Sequence, residues 1–119
     1  MSKHILIVED EPNIIESLSF LLERAGFDVS SEQDGAMAMN RVRDLTPDLI
    51  ILDVMLPNRS GFDILRDIGE LAEAPHVLML TAKGQARDRQ TAEEIGVTSF
   101  MTKPFANTEI VTAVQEILA

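Results

Sequence analysis

Three short apolar runs and a fourth, more polar run, each followed by a polar residue, constrain the fold of this chain more than any other feature. Runs of this length without polar alternation are typical of strands in parallel sheets, which helices cover on both faces. Such sheets bind ligands at the carboxyl ends of their strands, so the polar residues predict a site there. The runs and the residues behind them are 4–8 before Glu9 and Asp10, 48–52 before Asp53, 76–80 before Thr81, and 98–101 shortly before Lys103.

Segments with helical spacing of apolar residues separate these runs along the chain. In the first segment, Leu18 and Leu22 repeat at helical spacing. Pro12 suits the opening of this helix, and Gly26 suits its end. A weaker second strand is predicted at 27–31, and further helices are predicted behind a cap at Asp34, after a loop at 57–61, from Gly84 to Ile95, and from Asn107 onward.

Helical crossovers between successive strands require parallel pairing with right-handed connections. Helices then lie on both faces of the sheet, so we expect one doubly wound α/β domain over residues 1–119. The strand order 2-1-3-4-5 is compatible with the pattern but does not follow from it. In that order the first and third strands are neighbours, which would bring Asp10 beside Asp53.

The charge balance restricts what this domain can bind. The chain has 20 acidic and 10 basic residues, a formal net charge of −10. Nucleic acids and anionic membranes bind positive surfaces, so we expect neither as a direct partner. The lack of cysteine excludes a disulfide framework and a zinc-thiolate site. Without a signal peptide or an apolar stretch of about 20 residues, we expect a soluble cytoplasmic protein.

Several carboxylates at one sheet edge repel each other, and a hard divalent cation relieves that repulsion. Mg²⁺ suits one or two carboxylates together with a carbonyl, waters and a phosphate oxygen. Such a site favours phosphoryl transfer, in which an aspartate can be the nucleophile and form an acyl phosphate. Asp53 would then attack, and Asp10 would bind the metal with Glu9 beside it. Thr81 would donate a hydrogen bond to one phosphoryl oxygen, and Lys103 would pair with another.

Each of these residues also has an ordinary structural explanation. An aspartate after a strand commonly caps a turn, and Lys103 by itself is typical of a surface. Thr81 could begin the next helix, and acids such as Glu9 and Asp10 complement a helix dipole. All of them nevertheless fall at the same predicted sheet edge, and this coincidence favours one shared site.

The polar residues and their neighbours occur in an order known from one protein family. They are Glu9 and Asp10, Asp53 within 52–57 and ahead of 60–62, Thr81 and Ala82, and Lys103, Pro104 and Phe105. In combination they resemble the receiver domain of two-component response regulators over essentially the whole chain. The resemblance implies a flavodoxin-like (βα)5 fold. It also implies a phosphoryl group transferred to Asp53, with Mg²⁺, from a sensor histidine kinase or a phosphotransfer protein.

The resemblance further implies a set of metal ligands and a property of the phosphorylated state. The implied ligands are Asp10 directly, Glu9 through a water molecule, Asp53, and Met55 through its main-chain carbonyl. Glu9 stands where many members carry Asp, which lengthens the reach of the carboxylate. Met55 and Lys83 would flank the path of the hydrolytic water. Because Met55 cannot hydrogen-bond that water, we expect slow self-dephosphorylation.

Thr81 and Phe100 match the switch pair of the family, in which the hydroxyl moves toward the phosphoryl group and the ring turns inward. The bond between Lys103 and Pro104 matches a cis peptide of the family. The implied output is control of an effector domain or target protein, including transcription, with a homodimer through the last two helices and strand five. The loop 56–61 resembles the DNA-binding subfamily, whereas the segment 97–100 lacks the acidic pair of that subfamily.

Two alternatives to the phosphoacceptor switch stay open. One is an interaction module of the same fold that acts without phosphorylation. The other is an aspartate-nucleophile phosphatase, although such enzymes usually carry a second Asp two residues after the nucleophile, where this chain has Met55. The switch itself is not an enzyme with an external product, because its chemistry is limited to its own phosphorylation and dephosphorylation.

Overall fold

A five-stranded parallel sheet with helices on both faces organises the chain. The computed structural model describes residues 2–82 and 86–119. The strands pair in the order β2-β1-β3-β4-β5, and every neighbouring pair is parallel. The elements are β1 (His4–Val8), α1 (Pro12–Arg24), β2 (Asp28–Glu32), a 3₁₀ turn (Gly35–Met37), α2 (Ala38–Leu45), β3 (Leu49–Asp53), α3 (Gly61–Gly69), β4 (His76–Ala82), α4 (Ala86–Ile95), β5 (Ser99–Lys103) and α5 (Asn107–Ile117).

This order confirms the doubly wound fold that the alternation of strands and helices predicts. Helix α1 begins at Pro12 as expected, and Gly26 follows it with a φ of 98°. The cap at Asp34 precedes the 3₁₀ turn and not α2 itself, since its carboxylate accepts a hydrogen bond from the backbone N–H of Ala36. The helix start predicted at Gly84, and the predicted role of Lys83, lie outside the described residues.

Two strands run further than their apolar residues indicate. Strand β4 continues through Ala82 and β5 through Lys103, so Thr81 and Lys103 belong to strands. Backbone pairing causes this extension, because Thr81 pairs with Thr102 and Ala82 with Lys103 in register. Ladder hydrogen bonds do not depend on apolar side chains. Thr81 and Lys103 are therefore held by the sheet and not by loops.

Separate clusters of apolar side chains cover the two faces of the sheet. One cluster joins α1 and α5 to one face, and the other joins α2, α3 and α4 to the opposite face. Full burial of a side chain such as Leu or Ile stabilises the fold by about 1.5–3 kcal/mol, so this packing fixes the central strands and their ends. None of the helices in the described ranges has the length and apolar character that crossing a bilayer requires.

Candidate functional site

The carboxyl ends of β1, β3 and β5 place three carboxylates and a lysine together. Strands β1 and β3 are neighbours, with Val8 paired to Leu52, so the residues that end them meet. One carboxylate oxygen each from Glu9, Asp10 and Asp53 lies within 4.8 Å of the other two. Three of the residues that the sequence assigned to one site thus converge in space.

Lys103 approaches this cluster from the last strand. Its Nζ lies 3.0 Å from Oε2 of Glu9 and 3.4 Å from Oδ1 of Asp53. Glu9 is fully buried and Asp53 is 5% exposed, whereas Asp10 is exposed. The single ammonium group is therefore shared between the two buried carboxylates.

The pKa values of these groups show that Lys103 does not fully offset the burial and negative charge of the two carboxylates. Burial and the charge of Asp53 raise the pKa of Glu9 to about 7, and Lys103 only partly offsets them. Burial also raises the pKa of Asp53 against the opposing charge of Lys103. Burial alone would lower the pKa of Lys103, but the hydrogen bond to Glu9 and the charge of Asp53 raise it. The folded chain therefore favours an added cation or proton at this site.

The carboxylate cluster meets the requirements of a hard divalent cation. Its three oxygen ligands come from separate residues and lie within reach of one ion. One of them belongs to an exposed side chain, Asp10, so an ion has a route from solvent. Oxygen ligands of this kind suit Mg²⁺, which usually keeps several waters and takes one or two carboxylates. Glu9, Asp10 and Asp53 could hold such an ion.

A groove of about 750 Å³ opens beside Asp53. Its apolar lining includes Ile14 from α1, Met55 from the segment after β3, and Phe105 after β5. The side chain of Met55 is 75% exposed. The groove provides an external molecule with a route to Asp53, although little of that residue reaches the surface.

The segment that carries Met55 is tied down at several points. The backbone N–H of Val54 donates to the carbonyl of Leu80 at 3.2 Å, and that of Gly61 donates to the carbonyl of Val54 at 2.9 Å. The Asn58 side chain donates to Asp34 at 2.9 Å. A Cβ at Gly61 would meet the backbone of Asp53 and lie 2.9 Å from Cα of Val54. The start of α3 therefore rests directly on the backbone of Asp53.

Thr81 and Phe100 contact two adjacent residues of α4. The Thr81 hydroxyl, in a residue 1% exposed, donates to Oδ2 of Asp88 at 3.0 Å. The guanidinium carbon of Arg89 lies 5.8 Å from the centroid of the half-buried Phe100 ring. Sequence patterns carried no signal for these contacts, because an acid in the first turn of a helix is ordinary. The Lys103–Pro104 peptide bond is cis, as the resemblance implied.

Sequence comparison relates the chain to proteins of bacterial signalling. The family model "Response regulator receiver domain" matches residues 5–115. The chain is 40% identical over 118 residues to the alkaline phosphatase synthesis transcriptional regulatory protein PhoP of Bacillus subtilis. That match covers 99% of this chain and 49% of the relative, so the chain spans about half the length of the protein it matches.

Solved structures share the fold over nearly the full length of the chain. A putative response regulator from Chloroflexus aurantiacus superimposes with a TM-score of 0.94 at 30% identity, covering 99% of this chain and 98% of the other. The BeF3-activated N-terminal receiver domain of RstA from Klebsiella pneumoniae gives a TM-score of 0.90 at 25% identity, with 98% of each chain covered. Both similarities include the strands that carry the carboxylate cluster.

Proposed function

Because this chain belongs to the response regulator receiver domain family, we propose that Asp53 accepts a phosphoryl group from the phosphohistidine of a sensor kinase or phosphotransfer protein. The observation that carries the proposal is the setting of its carboxylate. The ammonium group of Lys103 lies 3.4 Å away, and carboxylate oxygens of Glu9 and Asp10 lie within 4.8 Å. The function is phosphorylation-based two-component signalling, and residues 1–119 form its receiver domain.

Accessibility and charge favour Asp53 over the neighbouring carboxylates as the acceptor. Glu9 is fully buried, so no donor can approach it. Asp10 is exposed, whereas Lys103 reaches Glu9 and Asp53. Of the three carboxylates, Asp53 combines an opening into the groove with a cationic partner. A nucleophile needs both, because the donor must reach it and the transferred oxygens need neutralisation.

In the proposed reaction a carboxylate oxygen of Asp53 attacks the phosphorus atom. An O–P bond forms as the P–N bond to the donor imidazole breaks, and the released ring nitrogen takes a proton from solvent. Lys103 pairs with a phosphoryl oxygen as a point charge. Asp10, Asp53 and the main-chain carbonyl of Met55 would hold Mg²⁺, with Glu9 contacting it through water, and the ion would supply positive charge for the other phosphoryl oxygens.

Phosphorylation then alters the surface formed by α4, β5 and α5. A phosphoryl group adds about −1.5 to −2 charge, which attracts the Thr81 hydroxyl. The movement of the hydroxyl leaves space for the Phe100 ring to turn inward. The altered surface regulates an effector domain or target protein, through a homodimer of this surface or a direct contact. The Bacillus subtilis relative is named a transcriptional regulator, which supports transcription as the output of a longer protein.

Incubation with acetyl phosphate and Mg²⁺ tests the proposal. We expect one phosphate per chain by intact mass spectrometry, mapped to Asp53 after borohydride reduction of the acyl phosphate, and none in the presence of EDTA. Continuous release of inorganic phosphate, many turnovers per chain, would instead favour the aspartate-nucleophile phosphatase. Failure to incorporate phosphate, with the fold intact, would favour the interaction module.

Stabilisation by Mg²⁺ is expected to increase as the pH rises from about 5 to about 8. The raised pKa of Glu9 means that the folded state binds this proton more tightly than the unfolded chain does. The stability from that proton is complete below the ordinary value of 4.5 and is lost as the pH approaches about 7. Mg²⁺ replaces the proton, so its affinity for the folded protein should fall by up to about tenfold for each pH unit below about 7.

Thermal unfolding followed by far-ultraviolet circular dichroism, with Mg²⁺ or EDTA at each pH, measures this effect. The chain has no Trp or Tyr, so backbone signals are the appropriate readout. Glu9→Gln serves as the control, because it removes the titrating carboxyl and should flatten the dependence. An equal shift in Tm at acidic and alkaline pH in the unsubstituted protein would contradict the argument.

Met55→Asn is expected to shorten the lifetime of the phosphorylated protein roughly fivefold. The Met55 side chain is largely exposed in the groove beside Asp53 and cannot orient a water molecule. An amide at this position can hydrogen-bond a water and direct it at the phosphorus atom. Phosphate loss after removal of acetyl phosphate provides the measurement. Met37→Asn, which changes a methionine that is 43% exposed and outside the groove, should decay at the original rate.

A further inference from the structure

The first turn of α4 contacts both members of the proposed switch pair through adjacent residues. Asp88 accepts the hydrogen bond from the Thr81 hydroxyl at 3.0 Å. Arg89 lies over the Phe100 ring, and its Nε also donates to Glu93 at 3.1 Å. The hydroxyl and the ring are thus both held by α4 in this structure.

A hydroxyl has a single proton to donate. In this structure Thr81 gives that proton to the carboxylate of Asp88. A phosphoryl oxygen on Asp53 would require the same proton, so the two acceptors exclude each other. Hydrogen bonds to charged acceptors are stronger than those between neutral groups, which makes Asp88 an effective competitor.

We propose that Asp88 is a positioning residue that holds the Thr81 hydroxyl on α4 and opposes acceptance of a phosphoryl group at Asp53. The inference rests on the proposed function and adds a residue that makes a phosphoryl group at Asp53 less favourable. When the Thr81 hydroxyl donates to the phosphoryl group, Asp88 loses that hydrogen bond, and α4 loses a contact with β4. The same exchange thereby links the chemistry at Asp53 to the position of α4.

Helix α4 has few buried apolar contacts, so its position depends strongly on the hydrogen bond between Thr81 and Asp88. Ala92 is the one buried residue of the described helix, and most of its other side chains are charged or polar. A helix with so little apolar contact depends on its polar contacts to keep its position. Loss of the bond between Thr81 and Asp88 is therefore expected to loosen the start of α4.

Asp88 rather than Arg89 is the main restraint. The side chain of Arg89 is exposed, and an exposed cation–π contact accounts for only a fewfold change in an equilibrium constant. A hydrogen bond from a buried hydroxyl to a carboxylate accounts for about tenfold or more. Replacement of Arg89 should therefore have the smaller effect on acceptance of a phosphoryl analogue.

Titration with beryllofluoride, a phosphoryl analogue, in the presence of Mg²⁺ tests the inference. We expect Asp88→Ala to bind beryllofluoride about tenfold more tightly than the unsubstituted protein, followed through backbone amide signals in NMR spectra. Asp88→Asn keeps an acceptor oxygen without the charge and should lie between the two. Asp63→Ala is the matched control, because Asp63 is likewise a half-exposed acid in the first turn of its helix, where it pairs with Arg66 on α3.

Two further measurements distinguish a positioning role from a merely structural one. In a Thr81→Val background, which lacks the hydroxyl, Asp88→Ala should change the affinity by less than about twofold. Without Mg²⁺ and beryllofluoride, amide hydrogen exchange at Ala92 should be faster in Asp88→Ala and unchanged in Asp63→Ala. A tenfold effect that persisted in the Thr81→Val background would overturn the inference.

The outcomes also separate this inference from the proposed function. If the unsubstituted protein neither binds beryllofluoride nor incorporates phosphate at Asp53, the proposed function is wrong, and the inference is lost with it. If it does both, and Asp88→Ala binds beryllofluoride equally or more weakly, only the role of Asp88 is wrong. Should Asp88→Ala not fold, Asp88→Asn decides the matter, since unaltered affinity in that variant would overturn the inference.

Discussion

Asp53→Asn is expected to reduce phosphate incorporation from acetyl phosphate roughly a thousandfold or more, while making the Mg²⁺-free protein more stable. The first effect follows from the loss of the nucleophilic oxygen. The second follows from the raised pKa of Asp53, whose burial disfavours the charged form in the folded state. Above the ordinary pKa, a neutral side chain removes that cost and the repulsion of Glu9. The residue needed for the reaction should therefore be one that lowers stability.

Intact mass spectrometry measures the first effect, and thermal unfolding in EDTA near neutral pH measures the second. Asp63→Asn is the control, because it makes the same substitution at a half-exposed position whose partner is the exposed Arg66. It should incorporate phosphate normally and unfold at nearly the original temperature. A decrease in Tm for Asp53→Asn would mean that the ion pair with Lys103 outweighs the burial of the carboxylate.

Gly61→Ala is expected to destabilise the protein by about 3 kcal/mol or more. An added Cβ would meet the carbonyl oxygen of Asp53 and lie 2.9 Å from Cα of Val54. These are backbone atoms, which cannot rotate away as a flexible side chain can. Relief requires α3 to move from β3, and that movement displaces the carboxylate cluster as well. Phosphate incorporation should therefore fall together with stability.

Gly69→Ala provides the matched comparison within α3. A Cβ at Gly69 would have nothing within 4 Å, and alanine is a better helix former than glycine. We expect this variant to be as stable as the original or up to about 1 kcal/mol more stable. Urea unfolding followed by circular dichroism measures both variants. Similar unfolding midpoints for Gly61→Ala and Gly69→Ala would show that the close approach at Gly61 is easily relieved.

The central strands could be predicted because their sequences leave few alternatives. The runs at 4–8 and 48–52 are apolar on both sides, which suits a strand covered by helices on both faces. The ends of β4 and β5 could not be predicted in the same way. Thr81 and Lys103 stay in the sheet through backbone pairing alone. The strand order also needed the structure, since helical crossovers permit more than one order.

Convergence of Glu9, Asp10 and Asp53 could be anticipated once β1 and β3 were taken as neighbours. The contact between Thr81 and Asp88 could not be anticipated, because the two residues lie seven positions apart in different elements. It depends on how α4 lies against β4, which helical spacing does not determine. The same is true of the stacking between Arg89 and Phe100. Sequence patterns thus predicted the carboxylate cluster but not the contacts of Thr81 and Phe100 with α4.

The tethered segment after β3 has a consequence for how an ion is bound. Hydrogen bonds donated by Val54, Gly61 and Asn58 tie this stretch to β4, to itself and to Asp34. Main-chain carbonyls there are preorganised, so coordination does not require ordering of a flexible loop and its entropic penalty is small. If the site binds Mg²⁺ as proposed, such a frame would favour a small cation over a larger one, because it would have to expand to accommodate the larger ion.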